Sequence, residues 1–477
     1  MSDTKLKADS LRKQGFRANS ALLALLFLFI FLGAGLSGCQ KGFYSLPSPP
    51  AEAKPSPQAA ANSPQETLAP TQTEESPTPA PIITLTIWTK ESFSPAEGEA
   101  GQVLNEIFSA FSEKHPDVHI EYALKKPYGK GGLLDFLRTT SQVVPAALPD
   151  LIVIDTTELN KAAREGLVQP LDGLLGREIL DDVFPFAIQA CSLDGHLMGM
   201  QFEADIEHLA YNAGLLPAPP LTWADTFTRG AIYLFPGGGE EEKVNDAFLI
   251  QYIALGGQFV DKNGLPALDK ELLVKVLEFY QEGRKRNVIP LSILECKTLD
   301  DSWAFYLAGK AAMANVDSHL YLLEGLGRPD TSFAPIPTQD GRPMTISRGW
   351  AVALVTSDQA RQALAAELIA SLMRPEMNAA WNRAAGHLPT RRAALDDIGL
   401  PEDYLAFLRT QMEAARPRPS MPAYDNLAKA LQRAIQNVLL NDVSPAEAVE
   451  GVFADLGGTA YGFESLSEVT FPGGEEK

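Results

Sequence analysis

Between Ile82 and Leu175 the chain alternates two hydrophobic periodicities, and that alternation restricts the fold more than any other feature of the sequence. The stretch ITLTIW, ending at Trp88, mixes β-branched and apolar residues and reads as a strand. GQVLNEIFSAFSEKHP then sets Val103, Ile107, Phe108 and Phe111 on one face of a helix that Pro116 stops. VHIEYAL is a second strand. LPDLIVIDT is short and nearly all apolar, the mark of a strand covered on both faces in a parallel sheet. ELNKAAREGLVQPLDGLL gives a helix that ends near Gly166, followed by a proline turn. Strand, helix, strand, helix, strand predicts an α/β fold wound around a parallel sheet.

The middle of the chain changes character. LDGHLMGMQFEADIEHLAYNAGLLP puts a turn at Asp194 and Gly195 ahead of extended segments that end in Tyr211 and Asn212. In PLTWADTF, Thr222 sits at a helix N-cap, where its hydroxyl can accept from an orphan amide, and Trp223 packs the helix start. Helical patterns run on to WAFYLAGKAAMANV, GWAVALV is strand-like, and amphipathic helices close the chain. From Ile82 onward almost 400 residues remain, which suits two lobes better than one small core. A hydrophobic content of 45% and a charged content of 21% are ordinary for a soluble globular body. The formal charge is −20; residues 1–38 contribute a net +3, so the chain from Cys39 carries −23. That balance argues against nucleic acid and anionic surfaces as partners and suits neutral or cationic ligands. Besides Cys39 only Cys191 and Cys296 remain, expected as two separate buried thiols rather than a disulfide framework.

The run ALLALLFLFIFLGAG is too short for the roughly 20 residues a membrane-crossing helix needs. Lys5, Lys7, Arg12, Lys13 and Arg17 precede it, as in a signal peptide, and LSGC resembles the bacterial lipobox. Residues 1–38 are therefore expected to be a lipoprotein signal peptide, with a lipid on Cys39. Gly42 to Pro81 holds ten prolines and no apolar periodicity, so residues 39–81 are expected to be a disordered tether.

Several motifs carry little chemistry. His115 and His119 are four apart, but Pro116 denies them a shared helical face, and no metal or cofactor is expected. FPGGGEEEK lacks the Gly-Lys-Ser/Thr ending of a phosphate loop and reads as a surface loop; DKNG is a turn. No Gly-x-Ser-x-Gly elbow is present. Carboxylate pairs are too abundant for counting to single out a glycosidase pair. Trp303 and Trp381 lie in helical patterns and belong to the core. Trp88 and Trp350 lie at strand ends, where open α/β folds hold ligands and an indole can stack on a sugar ring.

The order of landmarks, from LTIW through FSEKHPDVHIEY, PDLIVID, GLVQPLDGLL, LGGQFVDKNG, FYLAGKAAM and GHLPTRR to VSPAEAVEGVFADL, resembles the family-1 solute-binding proteins of bacterial ABC importers, which include maltose-binding proteins. The resemblance implies two α/β lobes with ligand between them: residues 82–204 plus 317–355, and residues 205–316 plus 356–477. It implies crossings near Glu203 to Glu207, Val316 to Ser332 and Val355 to Ala360. It also implies ligand contacts at Asp205, seven residues before Asn212, and at neighbouring Glu203. Thr157 and Glu158 follow the PDLIVID strand on a cleft-facing loop. Asp317 and His319 stand where relatives place Gly and Trp, a departure that points to a different solute. With Trp88 and Trp350 these make the expected ligand set, with no catalytic residue. The implied protein is a monomeric, lipid-anchored sugar receptor on the outer face of the bacterial cell membrane, serving ABC permease subunits. The alternatives are a secreted carbohydrate hydrolase and a sensory or scaffold protein that keeps the fold.

Overall fold

The computed structural model describes residues 82–95, 98–260, 267–421 and 423–457; Cys39, the leader, the Pro-rich segment and the DKNG turn lie outside them. In chain order the first strands are β1 (Ile83–Thr89), β2 (Val118–Leu124), β3 (Leu151–Asp155), β4 (Ser192–Leu193), β5 (His196–Leu197), β6 (Met200–Gln201) and β7 (Glu203–Asn212). The later ones are β8 (Tyr233–Leu234), β9 (Met313–Asp317), β10 (Thr331–Ala334), β11 (Ile346–Arg348), β12 (Trp350–Leu354), β13 (Leu388–Pro389) and β14 (Arg416–Pro417).

The first sheet runs β2-β1-β3-β12-β6. β1, β2 and β3 are parallel, and the all-apolar run of β3 is buried from Leu151 to Ile154, as its sequence predicts. The helix Glu99–Lys114 turns Leu104, Ile107 and Phe111 into this layer. The sheet is mixed rather than parallel, however. β12 lies antiparallel on β3, Trp350 opposite Asp155 and Leu354 opposite Leu151, and β6 is antiparallel to β12. The reason is topological: β12 enters from the opposite end of β3, without the helical crossover that a parallel neighbour requires.

The second sheet runs β14-β11-β7-β9-β8 and is organised by β7, which also pairs with β10 and β13. The Asp194–Gly195 turn closes the β4–β5 hairpin with both residues at positive φ, 53° and 87°, the backbone a two-residue hairpin favours. Thr222 caps the helix Trp223–Arg229 in a reciprocal capping box with Asp225, and Trp223 stacks on Phe279.

Two tight connections join the sheets. Only Phe202 separates β6 from β7, and only Gly349 separates β11 from β12. A side chain at Gly349 would meet the Glu203 carbonyl oxygen at 2.1 Å, so the two connections lie against each other and glycine is required. This corrects the expected crossings after Val316 and Val355. β9, β10 and β11, within 313–348, all pair with β7, while the helices Gln359–Leu372 and Pro375–Ala385 pack on the helix Glu99–Lys114. Strand pairing decided the matter: β10 and β11 hydrogen-bond to β7, and the expected division at 316/317 would have put them in a different lobe from it. Among the described residues no helix is long and apolar enough to cross a membrane.

Candidate functional site

The carboxyl ends of β1 and β3 and the first residue of β12 meet beside these connections. Lys90, directly after β1, holds its ammonium 4.1 Å from the centre of the Trp350 ring and 2.9 Å from Glu203 Oε1. Tyr128 lies against the same indole, ring centres 5.5 Å apart, and donates its hydroxyl to Asp155 Oδ2 at 3.1 Å. Burial and the charge of Asp155 push the Tyr128 phenol well above its ordinary range. Asp155 also caps the helix Thr156–Arg164, Oδ1 accepting from the Thr157 amide at 2.8 Å and its hydroxyl at 2.6 Å. Glu158 follows in the first turn, its carboxyl raised to about 7 by burial and then by Asp155. Glu158 Oε2 and Glu203 Oε2 are buried without a hydrogen-bond partner, so each can still accept one.

A cavity of about 280 Å³ lies next to this group and is reached through Thr156 and Thr157, at the start of the helix that Asp155 caps. Thr157, Asn160, Arg164 and Asp194 line it from the side of the first sheet. Arg418 and Ser420 line it from the segment leaving β14, which pairs with β11 in the second sheet. Behind Arg418 lies a buried charge cluster. Asp246 accepts from Arg348 Nε at 2.5 Å, and Arg418 Nε lies 3.0 Å away in a charge contact. Burial and then Asp246 raise the Glu207 carboxyl to about 8.

A third group gathers where β7, β9 and β13 adjoin. Asp205 Oδ2 lies 2.9 Å from His387 Nδ1, and Ser318 donates to Oδ1 at 3.2 Å. Burial opposes the charge on both partners, yet their attraction wins, holding Asp205 low and raising His387 to about 9. His319 stacks on His387 at 4.4 Å.

Of the residues singled out in the sequence, Trp350 and Glu203 therefore share one cluster, Thr157 and Glu158 adjoin it, and Asp205 and His319 form another. Asp317 instead caps the short turn after β9, accepting from the Leu320 amide at 2.7 Å, with its carboxyl raised to about 6 by burial and Asp205. Trp88, as buried as Trp350 (9% against 8% exposed), contacts Phe136 and Lys125 rather than Lys90 and Tyr128. Sequence reasoning missed Lys90, Tyr128, Asp155, Arg348, Arg418 and His387. A lysine immediately after the first strand and the arginine of SRGW were the available signals. The buried thiols of Cys191 and Cys296 are both pushed up to about 12, so neither is a nucleophile near neutral pH.

Two mixed sheets joined by short connections, with a polar-lined cavity and a separate aromatic and carboxylate cluster beside the joints, define a periplasmic-binding-protein-like α/β fold. The model for the bacterial extracellular solute-binding protein family matches residues 106–407, and the chain belongs to that family. The maltotriose-binding protein of Pyrococcus abyssi is 28% identical over 204 residues, 41% of this chain and 42% of the relative, so the match spans about two fifths of that protein. The cyclic α-maltosyl-1,6-maltose binding protein of Arthrobacter globiformis superposes with a TM-score of 0.67 at 19% identity, over 79% of this chain and 98% of its own. The sugar-binding protein MalE of Xanthomonas citri gives a TM-score of 0.64 at 21% identity, over 77% and 95%.

Proposed function

We propose that this protein is a lipid-anchored extracytoplasmic receptor that binds a sugar or oligosaccharide and delivers it to an ABC importer. The observation that carries the reading is the Trp350–Tyr128 ring pair beside the joints, with Glu203 joined to it through Lys90 and Glu158 close enough for its charge to act on Tyr128, each carboxyl keeping one unpartnered oxygen. Aromatic rings take the apolar face of a sugar, and the carboxyl oxygens accept from its hydroxyls. The names of the relatives, which bind maltotriose and other maltose-derived sugars, support the same class. Each sheet is the core of one lobe, with the crossings at Phe202, at Gly349 and in the segment around Leu388–Pro389. Trp350, Glu203, Thr157, Glu158 and Asp205 are the ligand-facing candidates we retain. Trp88 and Asp317 serve the surrounding structure, and His319 belongs to the group around Asp205 and His387. A ligand touching both lobes favours the closed form, and the permease reads that closure. The receptor is a monomer, held at the outer membrane face by a lipid on Cys39, with residues 39–81 as the tether.

The test is calorimetry on protein beginning at Gln40 with maltose, maltotriose, cyclodextrins, polyols and polyamines. A sugar should bind tightly and no glycoside should be hydrolysed. Hydrolysis of a maltodextrin that disappears in Glu158→Gln would establish the hydrolase instead, since a carboxyl raised to about 7 suits a general acid. The anchor is read by detergent partitioning of the full chain: wild type should enter the detergent phase and Cys39→Ala should not.

A further inference from the structure

Sequence spacing offers no metal-ligand pair, yet the fold brings two histidines and a carboxylate together from three separate segments. Asp205 lies on β7, His319 follows β9, and His387 precedes β13. One candidate ligand atom from each lies within 4.8 Å of the other two. We propose that Asp205, His319 and His387 form a binding site for a divalent transition-metal ion of the zinc class, placed where the chain passes between the two sheets.

The surrounding groups are arranged as partners of metal ligands commonly are. His319 Nδ1 is 2.8 Å from the Gly386 carbonyl, so it donates there and leaves Nε2 with a free lone pair. Gly386 supplies that carbonyl from a left-handed cap, φ 75°, at the end of the helix Pro375–Ala385. Ser318 donates to Asp205 Oδ1, leaving Oδ2 on the side of His387. Two imidazoles and one carboxylate match the donor set of three-ligand zinc sites, with a further position left for water. Bonds of roughly 2.0–2.1 Å place tetrahedral ligand atoms about 3.3 Å apart. The Asp205–His387 contact, 2.9 Å, must open slightly and His319 must draw in. The two rings are stacked 16° from parallel, so one must rotate to aim its lone pair at the ion. An ion so held would cross-link β7 to the segments after β9 and before β13, all carried by the second sheet.

The experiment uses the purified protein, freed of metal, titrated with Zn²⁺ alone by calorimetry and with Co²⁺ alone by visible absorption. The proposal expects one tight Zn²⁺ per chain and a Co²⁺ spectrum with the intensity of four-coordination. His319→Gln and His387→Gln should each weaken Zn²⁺ binding at least about 10-fold and abolish the Co²⁺ band. Melting curves without metal identify a variant that fails to fold. His319 makes the fewer structural contacts, so His319→Gln decides the matter should His387→Gln misfold. Binding of unchanged strength in His319→Gln would assign the ion to surface pairs such as His196–Asp172 or His115–Glu367 and overturn the proposal. A wild type that takes up no Zn²⁺ at micromolar concentration, or a Co²⁺ spectrum of the weak six-coordinate kind, would also overturn it.

Discussion

At Glu158, burial and the charge of Asp155 keep the proton on the carboxyl to about pH 7, against an ordinary value of 4.5. The consequence for stability has a definite sign. Below about 4.5 the folded and unfolded chains both hold the proton. Between there and about 7 the folded chain keeps a proton that the unfolded chain releases, so stability falls as pH rises. Above 7 the loss is complete and constant. Glu158→Gln removes this titration, so its stability relative to wild type should climb from pH 4.5 to 7 and then level off. Denaturant melts at matched pH values measure the difference; a difference independent of pH would mean that Glu158 is solvated. At this scale the sequence was a partial guide. Trp350 was singled out by its place at a strand end, and Asp205 only through the family resemblance, not through a local pattern. His387 was not, because it lies 182 positions from the Asp205 it pairs with, and no local pattern encodes that distance.

The elements were more legible than their connections. β1, β2 and β3 announce themselves by β-branched and apolar runs, and the Thr222 cap by its own chemistry, because these signals are local. Which sheet a short strand joins is a tertiary matter. β11 has three residues and β12 five, and a single glycine divides them between two sheets. Gly349 carries the strongest element-scale prediction. An alanine there would drive its Cβ against the Glu203 carbonyl, and backbone cannot rotate away as a side chain can. Gly349→Ala should destabilise by at least about 1–3 kcal/mol, the range for overpacked sites, read as a lowered denaturation midpoint. A midpoint equal to wild type would show that the two connections separate at no cost.

Across the whole molecule, composition limited the partners and landmark order gave the family, but neither drew the lobes, because division between sheets rests on long-range pairing. The net charge of −20 fits a receptor for uncharged sugars: Lys90, Arg348 and Arg418 at the site are each matched to a carboxylate, and Arg164 donates to the Ser420 carbonyl. The central claim is that a sugar lies against Trp350 beside the joints. The measurement that tests it most directly is the dissociation constant of the best-binding sugar for wild type and Trp350→Ala, each at a temperature where its own melting curve shows a folded protein. Losing a stacking anchor of this kind removes on the order of 1–3 kcal/mol, so affinity should fall roughly 10- to 100-fold. A folded Trp350→Ala protein that binds the sugar as tightly as wild type would contradict the account.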